Sequence, residues 1–262
     1  MKLAIVGKGG VGKTTLAAAL AQHYARSSSP VIAIDADPDG NLGSALGVPE
    51  DRLPEPIAGL RDLILERTGA KDQPGGFYTL NPKVDDLPDR FSVEVGGVRL
   101  LVLGTVEFGG KGCMCPEGAV LKALLQHLLL RVPEHVILDM EAGLEHMGRA
   151  SARGVDAMIC VVEPGMRSVQ TAARIRALAA EIGIQRTFVV ANKLRAQGER
   201  EVLQQALGDQ KIIGTIPYCD RLVRADLHGR PVVMENEAFA SAVRSIGEFL
   251  DKQLDSKGEG HG

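Results

Sequence analysis

"KLAIVGKGGVGKTTLAAALAQHYARS", residues 2–27, is the stretch whose reading decides the fold. Its first six residues form an apolar run of strand length, its middle is glycine-rich, and from Thr14 onward alanine and leucine recur with helical period. Between strand and helix, Gly7 to Thr14 reads GKGGVGKT and satisfies G-x-x-x-x-G-K-[ST] in the context that motif needs. Glycines let successive backbone amides turn inward around a phosphate, and the helix N-terminus adds partial positive charge. Gly9, Gly10, Val11, Gly12, Lys13, Thr14 and Thr15 are therefore the expected phosphate loop. Lys13 reaches the β- and γ-phosphates, and the Thr14 hydroxyl binds Mg²⁺. A nucleoside triphosphate is the expected ligand.

Working outward, short apolar runs alternate with helical segments. "PVIAIDA" (30–36), "VRLLVLG" (98–104), "HVILD" (135–139), "DAMICVVEP" (156–164), "RTFVVANK" (186–193) and "KIIGTIP" (211–217) read as strands. Segments such as "GAVLKALLQHLLLR" and "SVQTAARIRALAAEIG" read as helices. This alternation predicts an α/β fold, a doubly wound and mainly parallel sheet flanked by helices on both faces. In "FSVEVGGVRLLVLG" a Gly-Gly turn joins two alternating runs and predicts one antiparallel edge strand. Residues 67–90, rich in Pro, Gly and Asp, read as a surface insertion. The expected organisation is one domain over 1–254 and a flexible tail over 255–262.

Composition excludes several classes. A formal net charge of −3 with scattered basic residues offers no broad field for nucleic acid, and three Tyr, six Phe and no Trp leave few stacking platforms. No apolar run of membrane-spanning length occurs, and "MKLAIVGKGG" turns polar too soon for a secretory signal, so a cytoplasmic protein is expected. "SKGEGHG" at the end of the sequence offers no amphipathic membrane helix.

Two acidic elements accompany the loop. "IDADPDGN" places Asp35 and Asp37 at the end of the second strand, where ligands bind in open α/β sheets. Such carboxylates position a water or the hydrated Mg²⁺. "VILDMEAG" has an apolar strand followed by Asp139, as a Walker B element requires, with Gly143 where a backbone amide can sense the γ-phosphate. Each aspartate alone also fits an ordinary helix N-cap. Three strand-end matches in the right order favour the nucleotide site.

Four cysteines occur in 262 residues, and two stand together in "EFGGKGCMCPEGAV". A short tripeptide strains an internal disulfide between Cys113 and Cys115, so metal or redox chemistry is the better reading. Thiolates select zinc, nickel, copper(I) or iron–sulfur clusters, and a tetrahedral ion wants four ligands. Cys160, inside an apolar strand, reads as core. Cys219 belongs to a loop, and His127 stands roughly 18 Å along a helix from Cys115. The missing ligands come most simply from the same pair on a second subunit. A site closed by water, or two thiols that bind nothing, are the alternatives.

"KGGVGKT" resembles the deviant Walker A loop of the group that includes the nitrogenase iron protein, MinD, ParA and ArsA, which form nucleotide-sandwich dimers. The resemblance implies that Lys8 crosses the dimer interface to the partner's nucleotide, in the manner of an arginine finger. It gives Asp37 the switch I role at the attacking water. It matches Asn192 to a residue reading the adenine edge, and Pro217, Tyr218 and Asp220 to the loop packing the base. The N-K-x-D guanine signature fails, with Arg195 in place of its aspartate. Together with "DADPDGN", "GCMCPEGA" and "DMEAGLEHMGR", the loop is similar to the CooC family of nickel-inserting ATPases that mature carbon monoxide dehydrogenase. That likeness implies a homodimer holding one Ni²⁺ or Zn²⁺ between the Cys113 and Cys115 pairs. Its cofactors would be ATP/ADP and Mg²⁺, and its client carbon monoxide dehydrogenase or the related acetyl-CoA synthase. The rival reading is an iron-protein-like, MinD-like or ParA-like ATPase whose C-x-C is structural or holds an Fe–S cluster.

Overall fold

The structure, a computed structural model, describes residues 1–27, 29–70, 77–104, 115–142, 149–231 and 236–254. Among the described residues, eight strands lie in one sheet in the order β3-β4-β2-β5-β1-β6-β7-β8. They are β1 (Lys2–Gly7), β2 (Val31–Ala36), β3 (Val93–Val95), β4 (Val98–Val102), β5 (His135–Met140), β6 (Ala157–Val162), β7 (Thr187–Leu194) and β8 (Ile212–Pro217). All neighbours pair in parallel except β3 with β4. That antiparallel pair is the expected hairpin. Gly96 and Gly97, with φ of 57° and 80°, both occupy the left-handed region that a two-residue turn of this hand demands.

The central strands β1, β2 and β6 are buried along their whole length, which is why they read as unbroken apolar runs. Side-chain alternation splits β1 between two cores. Leu3 and Ile5 pack with α1 (Lys13–Arg26), α2 (Leu42–Leu46) and α10 (Glu237–Leu254). Ala4 and Val6 face the layer built from α3 (Arg61–Thr68), α5 (Pro116–Leu130), α6 (Arg149–Ala152), α7 (Met166–Ile182) and α8 (Glu199–Leu207). Helices thus cover both faces, as expected.

The segment read as a surface insertion is only partly one. Val84 and Leu87 are buried in the second core, Leu87 at the start of the short helix α4 (Leu87–Phe91). Arg67 of α3 reaches across to Asp86 at 2.6 Å. Its charged composition hid two apolar anchors and the ion pair beside them. Among the described residues no helix is long and apolar enough to cross a membrane.

Candidate active site

β1 ends at Gly7 and the chain turns directly into the phosphate loop. A Cβ on Gly7 would stand 2.7 Å from the Val161 carbonyl oxygen of β6, so only glycine lets the loop leave the sheet this closely. Gly12 has φ 93° and begins α1 without a side-chain cap. The first-turn amides of a 14-residue helix are therefore left for a ligand, with no acidic side chain in that turn to compete for it.

Around this terminus lies a cavity of about 540 Å³. Gly9, Gly10, Gly12, Lys13, Thr14 and Thr15 line one side, with Asp37, Asp39 and Glu141 at the strand ends. Asn192, Lys193, Tyr218, Cys219, Leu222 and Arg230 close the other. The sequence placed most of these here; Asp39, Glu141, Lys193, Leu222 and Arg230 it did not. Pro217 ends β8 and Asp220 opens α9 (Asp220–Leu227), flanking Tyr218 without lining the cavity. Val11 is buried beneath the loop, and the Lys8 side chain is exposed beside it. Cys113 and Gly143 lie outside the described residues.

Asp35 and Asp139 are direct register partners on adjacent parallel strands, so both carboxylates leave the sheet on the same side and at the same level. Both are buried. Desolvation raises Asp35 to about 6, against the opposing hydrogen bonds from the Leu42 and Asp37 amides. Desolvation raises Asp139 to about 7. The Thr14 hydroxyl stands near enough to counter that rise, yet among the described residues no donor reaches hydrogen-bonding geometry on either Asp139 oxygen. Buried carboxylate oxygens without donors suit a hydrated divalent cation. With Thr14 opposite, the arrangement fits Mg²⁺ bound through its waters and a phosphate, and when bound that ion would neutralise phosphate charge.

Lys13 and Asp37 form a buried ion pair. Burial works against the ammonium, but the Asp37 hydrogen bond and the fields of Asp139, Asp37 and Glu141 outweigh it and raise the Lys13 pKa. The lysine thus carries its charge where phosphates belong. Asn192 donates from Nδ2 to the Val11 carbonyl at 2.8 Å and accepts from the Lys193 amide at 2.8 Å. One Nδ2 hydrogen and one Oδ1 lone pair are thereby used, and the second of each is left for a base edge.

Tyr218 carries the Arg195 guanidinium over its ring at 3.6 Å, a cation–π stack that fixes the ring at the cavity wall. Arg195 and Ala196 amides both donate to Glu199, anchoring this turn to α8. Cys219 accepts from Asn236 Nδ2 at 3.3 Å, tying the base-side loop to the start of α10. The Arg195–Tyr218 stack and the Asn236 contact carry no motif by which the sequence could have announced them.

Cys115 caps α5, its Sγ accepting from the Gly118 amide at 3.3 Å. Cys160 is core, as expected, and burial pushes its thiol up to about 12. His127 sits three turns along α5 from Cys115, again as expected. Among the described residues no three His, Cys, Asp or Glu converge as metal ligands.

Sheet, phosphate loop and strand-end acids define a P-loop nucleotide-binding ATPase domain. The chain belongs to the CobQ/CobB/MinD/ParA nucleotide-binding domain family, whose profile matches residues 3–232. It is 45% identical over 231 residues to the carbon monoxide dehydrogenase accessory protein CooC of Rhodospirillum rubrum, covering 87% of this chain and 88% of that protein. It is 40% identical over 256 residues to an uncharacterized ATP-binding protein of Methanocaldococcus jannaschii, covering 96% and 98%. Among solved structures, MinD of the Aquifex aeolicus MinC:MinD complex matches with a TM-score of 0.71 at 21% identity over 96% of this chain and 95% of that one. MinD from Pyrococcus horikoshii with Mg-ADP matches with a TM-score of 0.67 at 20% identity, covering 98% of both. At those identities the structural likeness speaks for the fold.

Proposed function

We propose that this chain is an ATP-dependent metallochaperone whose homodimer holds one nickel or zinc ion between paired Cys113 and Cys115 residues and supports nickel insertion into carbon monoxide dehydrogenase. The identity to CooC supports the client class, with acetyl-CoA synthase as a related client. One structural observation carries the coupling of nucleotide to metal. β4 lies beside β2, in register from Val31 and Val98 to Asp35 and Val102, and the Leu103 amide continues the pairing by donating to the Asp35 carbonyl at 2.8 Å. The chain that leaves this end of β4 leads to Cys113 and Cys115, and the chain that leaves the same end of β2 carries Asp37. Metal and phosphate readers therefore depart from neighbouring strands at one edge.

In this reading the loop amides and Lys13 hold the phosphates, and Thr14, Asp35 and Asp139 hold the hydrated Mg²⁺. Asp37, released from Lys13 when phosphate takes the ammonium, orients the attacking water. Gly143 reports the γ-phosphate. The exposed Lys8 reaches the partner subunit's nucleotide, so hydrolysis depends on dimerisation. Asn192, Pro217, Tyr218 and Asp220 receive the adenine. If the closed dimer that favours ATP and the dimer that favours four-sulfur geometry differ, hydrolysis changes metal affinity, and metal changes nucleotide affinity equally.

Titration with nickel and zinc, in ADP, ATP or neither, tests the proposal. One ion per two chains is expected, shifted by nucleotide and lost in Cys113→Ala and Cys115→Ala. Unaltered metal binding in those variants sinks it, as does a chain that stays monomeric with Mg²⁺ and ATP saturating.

A further inference from the structure

Lys193 is the one non-glycine residue with positive φ among the described residues, at 59°. A lysine gains nothing locally from that conformation, so something beyond the residue holds it there. It sits near the end of β7, where the pairing with β8 slips between Ala191 and Leu194. In a regular strand successive side chains point to opposite faces. Asn192 and Lys193 are successive, yet both reach the phosphate loop. Asn192 Nδ2 donates to the Val11 carbonyl, and Lys193 Nζ donates to the Gly10 carbonyl. The left-handed turn at Lys193 breaks the alternation and brings both donors to one side.

The geometry points to Lys193 as a positioning residue that, together with Asn192, clasps two consecutive carbonyls of the phosphate loop and so presets its amides for a nucleotide phosphate. This rests on nucleotide binding in the adjoining cavity. In a trans peptide the carbonyl and the following N–H point in opposite directions. Pinning the Gly10 carbonyl fixes the Gly10–Val11 plane, whose N–H closes onto the Lys8 carbonyl at 3.3 Å. Pinning the Val11 carbonyl fixes the next plane and turns the Gly12 amide the other way. Gly10 and Gly12, with φ 77° and 93°, are the residues with most freedom to lose on ordering. Fixing both planes before the ligand arrives removes that cost from binding.

Glu163, just past β6, lies 3.4 Å from Lys193 Nζ and completes the support. Its own amide donates to Ser168 Oγ at 3.1 Å at the start of α7. The clasp is thus braced from the end of β6, the strand that lies between β1 and β7. Lys193 lines the cavity but donates to protein, so its effect is transmitted through the loop.

The test measures ADP affinity by calorimetry, and KM and kcat for Mg²⁺-dependent ATP hydrolysis, in the wild type and in Lys193→Met, Lys193→Arg and Lys193→Gly. Preset amides serve ground state and transition state alike, so Lys193→Met is expected to raise the ADP Kd and the ATP KM about tenfold with kcat within about twofold. Lys193→Arg, which retains a charged donor, restores most of the loss. Lys193→Gly adopts φ 59° without strain but has no donor; it matches Lys193→Met in affinity while folding at least as stably as the wild type. It therefore keeps the test open if the methionine variant unfolds. Adenosine, lacking phosphates, should bind all four proteins alike. An ADP affinity within twofold of wild type in folded Lys193→Gly overturns the clasp, as does an equal loss for adenosine. A wild type that binds no ADP removes the nucleotide reading and the clasp with it.

Discussion

Replacing Asp139 by asparagine should make the nucleotide-free protein more stable while removing its ATP hydrolysis. The carboxylate is fully buried, and among the described residues no donor meets it in hydrogen-bonding geometry. The rise of its pKa from an ordinary 3.8 to about 7, at about 1.4 kcal/mol for each tenfold step, makes the charged form cost the fold about 4 kcal/mol. An amide of the same shape avoids that cost but leaves its own polar atoms unpaired, so a net gain of about 2–4 kcal/mol is expected at pH 8. The sign with pH follows from linkage. Because the folded pKa is raised, the folded chain holds the proton between about pH 4 and pH 7 where the unfolded chain does not. The wild type's stability from this group is full below about pH 4 and is lost as pH rises through about 7. The advantage of Asp139→Asn should therefore shrink to less than half at pH 5. Urea denaturation at pH 5 and pH 8, without metal or nucleotide, measures both quantities. A variant no more stable than wild type at pH 8, or an advantage unchanged at pH 5, refutes the reasoning.

Gly12→Ala should abolish ADP binding and cost about 1–3 kcal/mol, because its methyl would meet Asn192 Nδ2 at 2.3 Å in a left-handed backbone; calorimetry and urea denaturation read the two effects. Cys160, 4% exposed with its thiol pushed up to about 12, should resist alkylation in the folded chain at pH 8 and react only in urea, as peptide mass mapping would record. Labelling of Cys160 under native conditions would mean that β6 opens far more readily than its burial allows.

The parts legible from sequence were those in which local chemistry and fold agree. The phosphate loop needed glycine at Gly7 for close packing and at Gly12 for its left-handed turn, so function and backbone geometry wrote the same motif. The Gly96–Gly97 hairpin was legible for a similar reason, since few other pairs tolerate two positive φ angles. Strand interiors of β1, β2 and β6 were plain because a parallel sheet covered on both faces admits little besides apolar residues. What escaped was decided across distance. The pairing of Asp35 with Asp139 is a matter of register between strands about a hundred residues apart. The Arg195 stack on Tyr218 joins two loops. Val84 and Leu87 are single apolar anchors in a charged stretch, too few to set a period. Lys193 had the identity expected of a solvated loop charge, and only its backbone angle sets it apart.

The site holds unfavourable arrangements in its empty state. Two buried carboxylates face one another in register, and desolvation raises both pKa values. Lys193 sits in a conformation worth roughly 1–2 kcal/mol less than an ordinary one. Lys13 spends its charge on Asp37 rather than on a ligand. The first two do not help the isolated chain and are compensated by core packing on both faces of the sheet, whereas the Lys13–Asp37 pair, which raises the Lys13 pKa, holds the empty site together until a ligand replaces it. A bound cation and phosphate would repair the first and third together, since the cation gives Asp35 and Asp139 the positive charge they lack and phosphate frees Asp37 from Lys13. Occupancy would therefore alter the two strand ends nearest β4 more than the β6–β8 side, where the clasp is already set. A switch needs that division: a rigid half that presets the phosphate loop, and a strained half whose relief is felt where the cysteine-bearing segment begins.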